Sequence, residues 1–409
     1  MKTIRCILKP GREKALEGRH PWVFSGAIDQ IDDTHQSGDL VRVFSAGEKF
    51  LGVGYLNPRS QIAIRMLAFE DTEVDAAYFQ KKIGAALSLR RKFLGPDTNA
   101  CRLIHSEGDF LPGLIADRYA DYLVVQFLTA GIDAWRETLI EILEKEIPCR
   151  GIYEKDDTEF REREGLEKRV GKLAGEEPPD YVEILENGLK FIVDIHRGQK
   201  TGFFLDQRDN RRLVQTVSRG RRVLNCFAYT GAFGVYAAAG GAREVVSVES
   251  SEAALNTAGL NFEKNGFTPD PPLSPGGGEG KGEGHTISSS FARTDVFQYL
   301  RDSRQEFDLV ILDPPAFCKN KNQIQQASRG YKDINMYGLK RLAPGGLLFT
   351  SSCSSHISPD LFQKIVFAAA KDARRDVRIL AKTGHPFDHP ISIYHPEGEY
   401  LKGLLCEAV

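Results

Sequence analysis

The chain has 409 residues, enough for two or three domains with sizeable cores; 41% hydrophobic and 27% charged residues describe an ordinary folded protein and exclude disordered and collagen-like classes. A net charge of -2 advertises no polyanionic partner, so any nucleic-acid site has to be a local basic patch. Seven cysteines, at 6, 101, 149, 226, 318, 353 and 406, include no C-x-x-C pair, which excludes a disulfide framework or zinc cage and leaves no metal site to expect.

The first 75 residues alternate short apolar runs with turn residues over Thr3–Leu8, Trp22–Ile28, Leu40–Phe44, Phe50–Tyr55 and Ile62–Leu67, the pattern of a small β-domain. The opening stretch MKTIRCILKPGREKALEGRHPW lacks the apolar core of a signal peptide, so a cytoplasmic protein is expected. Lys2, Arg5, Lys9, Arg12, Lys14, Arg19 and His20 gather there against few acids. They read first as a solvated basic edge and second as a face for phosphates. From Ala76 to Leu94, Ala77, Phe79, Ile83, Ala86, Leu87 and Leu89 recur at helical spacing. LPGLIADRYADYLVVQFLT, GIYEKDD and EILENGLKFIVDI read as strands and Trp135–Glu146 as a helix, making 76–189 a small α/β connector domain. Charge, Gly and Pro dominate 154–180, where exposed loops are expected.

Over 190–409, the strand candidates RRVLNCF, EVVSVE, ISSSFARTDV, FDLVILD and GLLFTSS alternate with helices at 232–239, 251–265, 293–301 and 327–342. This alternation predicts a parallel sheet covered on both faces. Val223–Ala242 is uncharged and about long enough to cross a bilayer. Asn225, Thr230 and the glycines at 231, 234, 240 and 241 instead mark strand, turn and helix, and no membrane span is expected. The tract PDPPLSPGGGEGKGEGH, 269–285, cannot bury a core and reads as a flexible surface insertion.

The chemistry concentrates where these strands end. After RRVLNCF, Gly231 and Gly234 let the backbone approach a ligand, and Glu249 stands at the tip of the next strand, where an acid can accept both hydroxyls of a ribose. Neither the G-x-G-x-x-G fingerprint nor a P-loop lysine is present, so an adenosyl ligand without a diphosphate matches better. FDLVILD runs into Asp313, Pro314 and Pro315 at the ligand edge of the sheet, where two missing amides leave carbonyls free to accept. Cys353 emerges at the same edge among Ser351, Ser352, Ser354 and Ser355, a polar setting that suits a reachable thiolate. Cys226 reads as packing, Cys318 as ambiguous and His356 as a surface residue. Upstream, Gln199, Lys200, Thr201, Gly202, Phe203, Phe204, Asp206 and Arg208 combine aromatics with cations, a set that can cover a cofactor and hold a nucleic-acid strand by stacking and charge.

In this order, GQKTGFFLDQRDNR, NCFAYTGAFGVYAAAGGA, VES, LDPPAFCKNK and SSCSSH behind a small β-domain resemble the bacterial 23S rRNA cytosine-C5 methyltransferases that carry an N-terminal PUA domain. The resemblance implies an α/β architecture: a PUA β-barrel over 1–75 that binds RNA, a small α/β connector over 76–189, and a Rossmann-like class I methyltransferase domain over 190–409. It implies S-adenosylmethionine (SAM) held by Phe227, Tyr229, Thr230 and Gly231, by Glu249 and Ser250 at the ribose, and by Asp295 and Val296 at the adenine. Asp313 and Pro314 would touch cofactor and target base, with Pro315, Lys319, Gln199, Lys200, Phe203 and Arg208 on the RNA side. Ribosomal RNA is the implied partner, and a homodimer is allowed.

The implied chemistry answers an electronic problem, because C5 of cytosine is a poor nucleophile. Attack of a Cys353 thiolate on C6 loads electron density onto C5, with Asp313 beside the activated ring. Many RNA cytosine-C5 methyltransferases carry a second Cys directly after the first proline of the D-P motif; here that place is Pro315 and the nearest is Cys318, so the group that takes the C5 proton is left open. Two alternatives stand beside this reading: methylation of a guanine or other nitrogen oriented by D-P-P, with Cys353 structural, and a non-catalytic RNA-binding or ribosome-assembly factor.

Overall fold

The computed structural model describes residues 3–268 and 287–409; Lys2 and the tract 269–285 lie outside the described residues. The chain divides into two compact units. Unit 1 comprises Met1–Asn187, Val193–Leu205 and Phe387–Gly398, and unit 2 comprises Gly188–Ile192, Asp206–Pro386 and Glu399–Val409.

Unit 1 opens with β1 (Thr3–Leu8), α1 (Lys14–Glu17), β2 (Trp22–Phe24), β3 (Ile28–Ile31), β4 (Leu40–Phe44), β5 (Phe50–Leu56) and β6 (Ile62–Ala68). They form a six-stranded sheet in the order β2-β6-β5-β4-β1-β3 around Ile4, Cys6, Leu8, Val41, Val43, Ile64 and Met66. The run expected as one strand over Trp22–Ile28 is divided by a 3-10 turn at Ser25–Ala27, which sends β2 and β3 to opposite edges of the sheet. The basic residues of this region are partly spent: Arg5 pairs with Glu48 and Arg19 with Glu70.

The helix α2 (Ala76–Phe93) starts on Asp75, whose carboxylate accepts from the Tyr78 amide, and buries Phe79, Ile83, Ala86 and Leu87. It is followed by β7 (Ala100–His105), β8 (Leu114–Tyr119), β9 (Tyr122–Phe127), α3 (Ala130–Ala134), α4 (Arg136–Glu146), β10 (Gly151–Asp156), α5 (Glu159–Arg163) and β11 (Arg169–Gly175). Strands β11-β10-β9-β8-β7 make a second sheet. The loops expected over 154–180 are thus corrected to the end of a strand, a helical turn and a strand antiparallel to β10. The reason lies in buried charge. Arg161 is fully buried and its guanidinium donates to Asp156 and Asp133, each at 3.0 Å, so a charge-rich segment folds inward through ion pairs instead of apolar contacts.

A further buried pair ties the first sheet to the segment after α5. Arg65 on β6 and Glu164 after α5, 2% and 3% exposed, form a two-pronged ion pair in which Asn57 and Ser60 also donate to the carboxylate. Phe387–Gly398, although late in sequence, belongs to unit 1. Arg90 donates to the Asp388 carbonyl at 2.7 Å, Asp388 accepts from the Arg102 amide, and His395 packs edge-on against Trp22.

After β12 (Val182–Glu186) and β13 (Leu189–Val193), unit 2 is built from α6 (Arg208–Thr216), β14 (Arg222–Cys226), α7 (Ala232–Ala239), β15 (Glu244–Glu249), α8 (Glu252–Lys264), β16 (Ser288–Arg293), α9 (Val296–Asp302), β17 (Phe307–Leu312), α10 (Ile324–Lys340), β18 (Leu342–Ser352), α11 (Pro359–Ala373), β19 (Val377–Thr383) and β20 (Lys402–Ala408). Its sheet runs β16-β15-β14-β17-β18-β20-β19, parallel except for the pairs that involve β20. The central strands are nearly all buried and rich in Val, Leu and Ile, as strands covered on both faces must be. Asp295 caps α9 by accepting from the Gln298 amide, so that helix begins at Val296 and not at 293. The uncharged run 223–242 resolves into β14, a turn and α7, and among the described residues no helix is long and apolar enough to cross a membrane.

Replacement of Arg161 by Met strands the Asp156 carboxyl group in the interior of unit 1, while Asp133 keeps Arg169, and is expected to remove about 3–5 kcal/mol of its unfolding free energy. Loss of the exposed Arg150–Glu176 pair through Arg150→Ala should leave the transition unmoved. Urea titrations of the two variants check the contrast.

Candidate active site

Strand β14 lies at the centre of its sheet, with β15 on one side and β17 on the other, and this reversal of strand order opens a crevice at the carboxyl ends. The turn leaving β14 is held in an uncommon conformation, with φ of 57° at Phe227, 47° at Tyr229 and 78° at Gly231. A run of such left-handed residues is strained and persists only where the surroundings impose it. Two contacts do so. The Glu249 carboxylate at the tip of β15 accepts from the Tyr229 amide at 3.0 Å, and the amide of buried Asn261 on α8 donates to the Thr230 carbonyl at 2.8 Å. At Gly231 a Cβ atom would lie 2.8 Å from Cβ of Ala258, so both backbone conformation and packing require glycine there.

Glu249 is half-buried, and its other oxygen accepts from the amides of Ser250 and Ser251 at 2.8 and 3.0 Å. The Thr230 hydroxyl is buried without a hydrogen-bond partner among the described residues, a polar atom left to a ligand at this turn. Asp295 is exposed and engaged in its cap, while Val296 behind it is buried and the neighbouring Phe297 packs with Phe227 and Phe317.

On the opposite side, β17 ends in Asp313, whose Oδ1 accepts from the Gln207 amide at 2.6 Å and from the Ser351 hydroxyl at 2.5 Å. Gln207 is itself oriented by Asn210, which donates to its carbonyl oxygen. Gln207 and Ser351 thus aim the carboxylate, and the sequence reading did not assign either of them to the site. The signal available was that both polar side chains fall inside motifs already singled out, Gln207 in DQRDN and Ser351 in SSCSS. Pro314 is buried, Pro315 and Lys319 are exposed, and Cys353 follows Ser351 by two residues, half-buried.

Of the residues assigned to RNA, Arg208 opens α6 in unit 2 and is 2% exposed, beside Asp209. Gln199, Lys200 and Phe203 belong to unit 1. Phe203 is 2% exposed, so its ring offers no open face for stacking; Phe204 is half-buried with the Lys200 ammonium 4.4 Å above its ring.

Residues 157–380 match the model of the S-adenosylmethionine-dependent methyltransferase family, and residues 6–69 match that of the PUA-like domain. The chain belongs to this methyltransferase family. It is 45% identical over 410 residues to the ribosomal RNA large subunit methyltransferase I of Photobacterium profundum, covering 99% of both chains. To the protein of the same name from Erwinia tasmaniensis it is 42% identical over 412 residues, covering all of both. A structure described as a SAM-dependent methyltransferase from Streptococcus mutans superposes with a TM-score of 0.81 at 24% identity, covering 99% of this chain and 100% of that one. A methyltransferase structure complexed with SAH gives 0.82 at 24% identity with full coverage of both chains. The fold is therefore that of a class I methyltransferase with an N-terminal PUA-like domain, and its cofactor is SAM.

Gly231→Ala places a side chain at φ 78° and against Ala258, and is expected to cost roughly 1–2 kcal/mol in denaturant unfolding of unit 2 from the conformational term alone. SAM affinity measured by calorimetry should fall in the same variant, because helix and turn must separate to admit the methyl group.

Proposed function

We propose that the protein transfers a methyl group from SAM to C5 of a cytosine in large-subunit ribosomal RNA, with Cys353 as the nucleophile toward C6. The observation that carries this reading is the half-exposed Cys353 at the end of β18, two residues beyond the Ser351 hydroxyl that orients Asp313 at the end of β17. Relatives named as ribosomal RNA large subunit methyltransferases along the whole chain support the choice of RNA.

When bound, SAM supplies an electrophilic methyl group on a sulfonium. Phe227, Tyr229, Thr230 and Gly231 would hold it at the β14 turn, Glu249 and Ser250 at the ribose, and Asp295 and Val296 at the adenine, with Asp313 and Pro314 between cofactor and base. The orphaned Thr230 hydroxyl and the left-handed turn fit a ligand lying on that backbone. The Cys353 thiolate forms a bond to C6, and the π pair of the C5–C6 double bond shifts onto C5, delocalised through C4 toward N3, making C5 nucleophilic. Asp313, fixed by Gln207 and Ser351, would accept from the exocyclic amine of the cytosine and so hold the ring in place for attack. Once C5 is methylated, loss of its proton restores the double bond and expels the thiolate.

The target base has to leave its stack to reach this edge, which costs a few kcal/mol and favours loops or single strands. The PUA-like region 1–75 and the connector 76–189 would engage the RNA beyond the target, together with Gln199, Lys200, Phe203, Arg208, Pro315 and Lys319 around the catalytic domain 190–409. For Phe203 that role requires unit 1 to expose a ring now buried.

Incubation with ribosomal RNA and methyl-labelled SAM, followed by nucleoside mass analysis, is expected to give 5-methylcytidine with the wild type and none with Cys353→Ala. Gln207→Leu should lower kcat by about 10²-fold, the scale seen when one oriented polar group is lost, with KM for SAM little changed. Methylguanosine produced equally by the wild type and Cys353→Ala would replace this reading with methylation of a guanine nitrogen.

A further inference from the structure

The turn that follows β18 is organised around a buried ammonium. Lys402, the first residue of β20, lies opposite Ser352 in the antiparallel ladder and is 4% exposed. Its Nζ donates to the carbonyls of Ser354 at 2.7 Å and Ile357 at 2.6 Å, and the Ile357 amide closes the same turn onto the Ser354 carbonyl. Ser354 is also buried, and its hydroxyl meets the Tyr331 hydroxyl and accepts from the Cys318 amide. The segment leading out of Cys353 is thus clamped from the β20 side by one lysine.

A buried ammonium is costly unless an anion or several dipoles compensate it. Two carbonyls take two of its three protons. Among the described residues no carboxylate lies within ion-pair distance of Nζ; the charges that act on it are those of Cys353 and, more weakly, Glu399. The anion best placed to complete its compensation is therefore the Cys353 thiolate.

We propose that Lys402 is a positioning residue for Cys353: its ammonium pins the turn that carries the thiol and favours the thiolate over the thiol. The proposal rests on the reading of Cys353 as the nucleophile. Burial pushes Lys402 down to about 8, with Cys353 and Glu399 pulling the other way, so the ammonium persists at neutral pH and is lost above it. Tyr331 on α10 also faces this cluster; burial holds its hydroxyl above the usual range, so it contributes no charge near neutral pH. The proton given up by the thiol passes to solvent, and the positive charge stays on Lys402.

The test is the pH dependence of iodoacetamide alkylation at Cys353, followed by peptide mass spectrometry that separates it from the other six cysteines. In the wild type the midpoint is expected below the ordinary cysteine value of about 8.5. Lys402→Met should raise it by at least one unit, a fall of about tenfold in alkylation rate at pH 7, and Lys402→Arg, which keeps the charge, should restore most of the loss. In methylation assays Lys402→Met should lower kcat and leave KM for SAM unchanged.

A wild-type midpoint at or above 8.5, or an unmoved midpoint in a Lys402→Met protein that melts normally and binds SAM, overturns the proposal. If Lys402→Met does not fold, the wild-type midpoint decides alone. Alkylation needs neither RNA nor turnover. A low midpoint raised by Lys402→Met, together with 5-methylcytidine still made by Cys353→Ala, would leave the pairing standing and remove only the nucleophilic role.

Discussion

The geometry of unit 2 depends on one topological constraint, the reversal of strand order at β14. The chain winds outward from β14 through β15 to β16 and then returns across the sheet to β17, so right-handed crossovers on the two sides of β14 lie on opposite faces and no connection covers its carboxyl end. The strained turn at 227–231, Glu249 and Asp313 all stand at that uncovered end because they terminate β14 and its two neighbours. Cys353 joins them only because β18 pairs in parallel with β17, with Leu312 opposite Thr350, so that the two strands finish level. Had β18 entered antiparallel, as β20 does beside it, the thiol would leave at the opposite end of the sheet.

This half of the molecule was legible in the sequence because its signals are local. Buried parallel strands write themselves as short Val/Leu/Ile runs, and the strand-end motifs follow them directly, so NCFAYTG, VES, LDPP and SSC announced both the sheet and its active edge. What stayed hidden was the layer of side chains that aims the first one. Gln207 meets Asp313 across 106 positions and Lys402 meets Ser354 across 48, and no periodicity marks either pairing. Lys402 in particular stands in YLKGLL, where a lysine beginning a strand reads as solvated.

In unit 1 the hidden part is larger because buried ion pairs, alongside its apolar clusters, fix how distant segments meet. Arg65 reaches Glu164 over 99 positions, Arg161 reaches Asp133 over 28, Arg90 reaches Asp109 over 19 and Arg102 reaches Asp117 over 15. A segment rich in Glu, Arg, Gly and Pro is indistinguishable by composition from a solvated loop, which is why 154–180 read as one. Buried pairs add little net stability compared with apolar packing, yet breaking one leaves an uncompensated charge, so they penalise every alternative arrangement of these segments. The β-domain and the connector become one compact unit through a shared apolar cluster, in which Leu40, Val53, Tyr55 and Leu67 join Phe79, Ile83 and Leu103, and through the Arg65–Glu164 pair.

The four cysteines of unit 2 stand in different environments, and these bear on which of them suits the proposed chemistry. Cys226 and Cys406 are fully buried on strands, and burial alone pushes Cys406 up to about 12 and Cys226 higher still; both are packing residues. Cys318 stands in the loop after D-P-P, where a second catalytic thiol would be sought, but burial raises it too and its Sγ donates to the Asn320 carbonyl at 3.2 Å. A sulfur that donates a hydrogen bond still holds its proton, and one so held is a poor acceptor for the proton of C5. Only Cys353 combines partial exposure with an adjacent buried cation. Under the proposed reaction, these environments suit Cys353 to attack and leave Cys318, which keeps its proton, unsuited to take another.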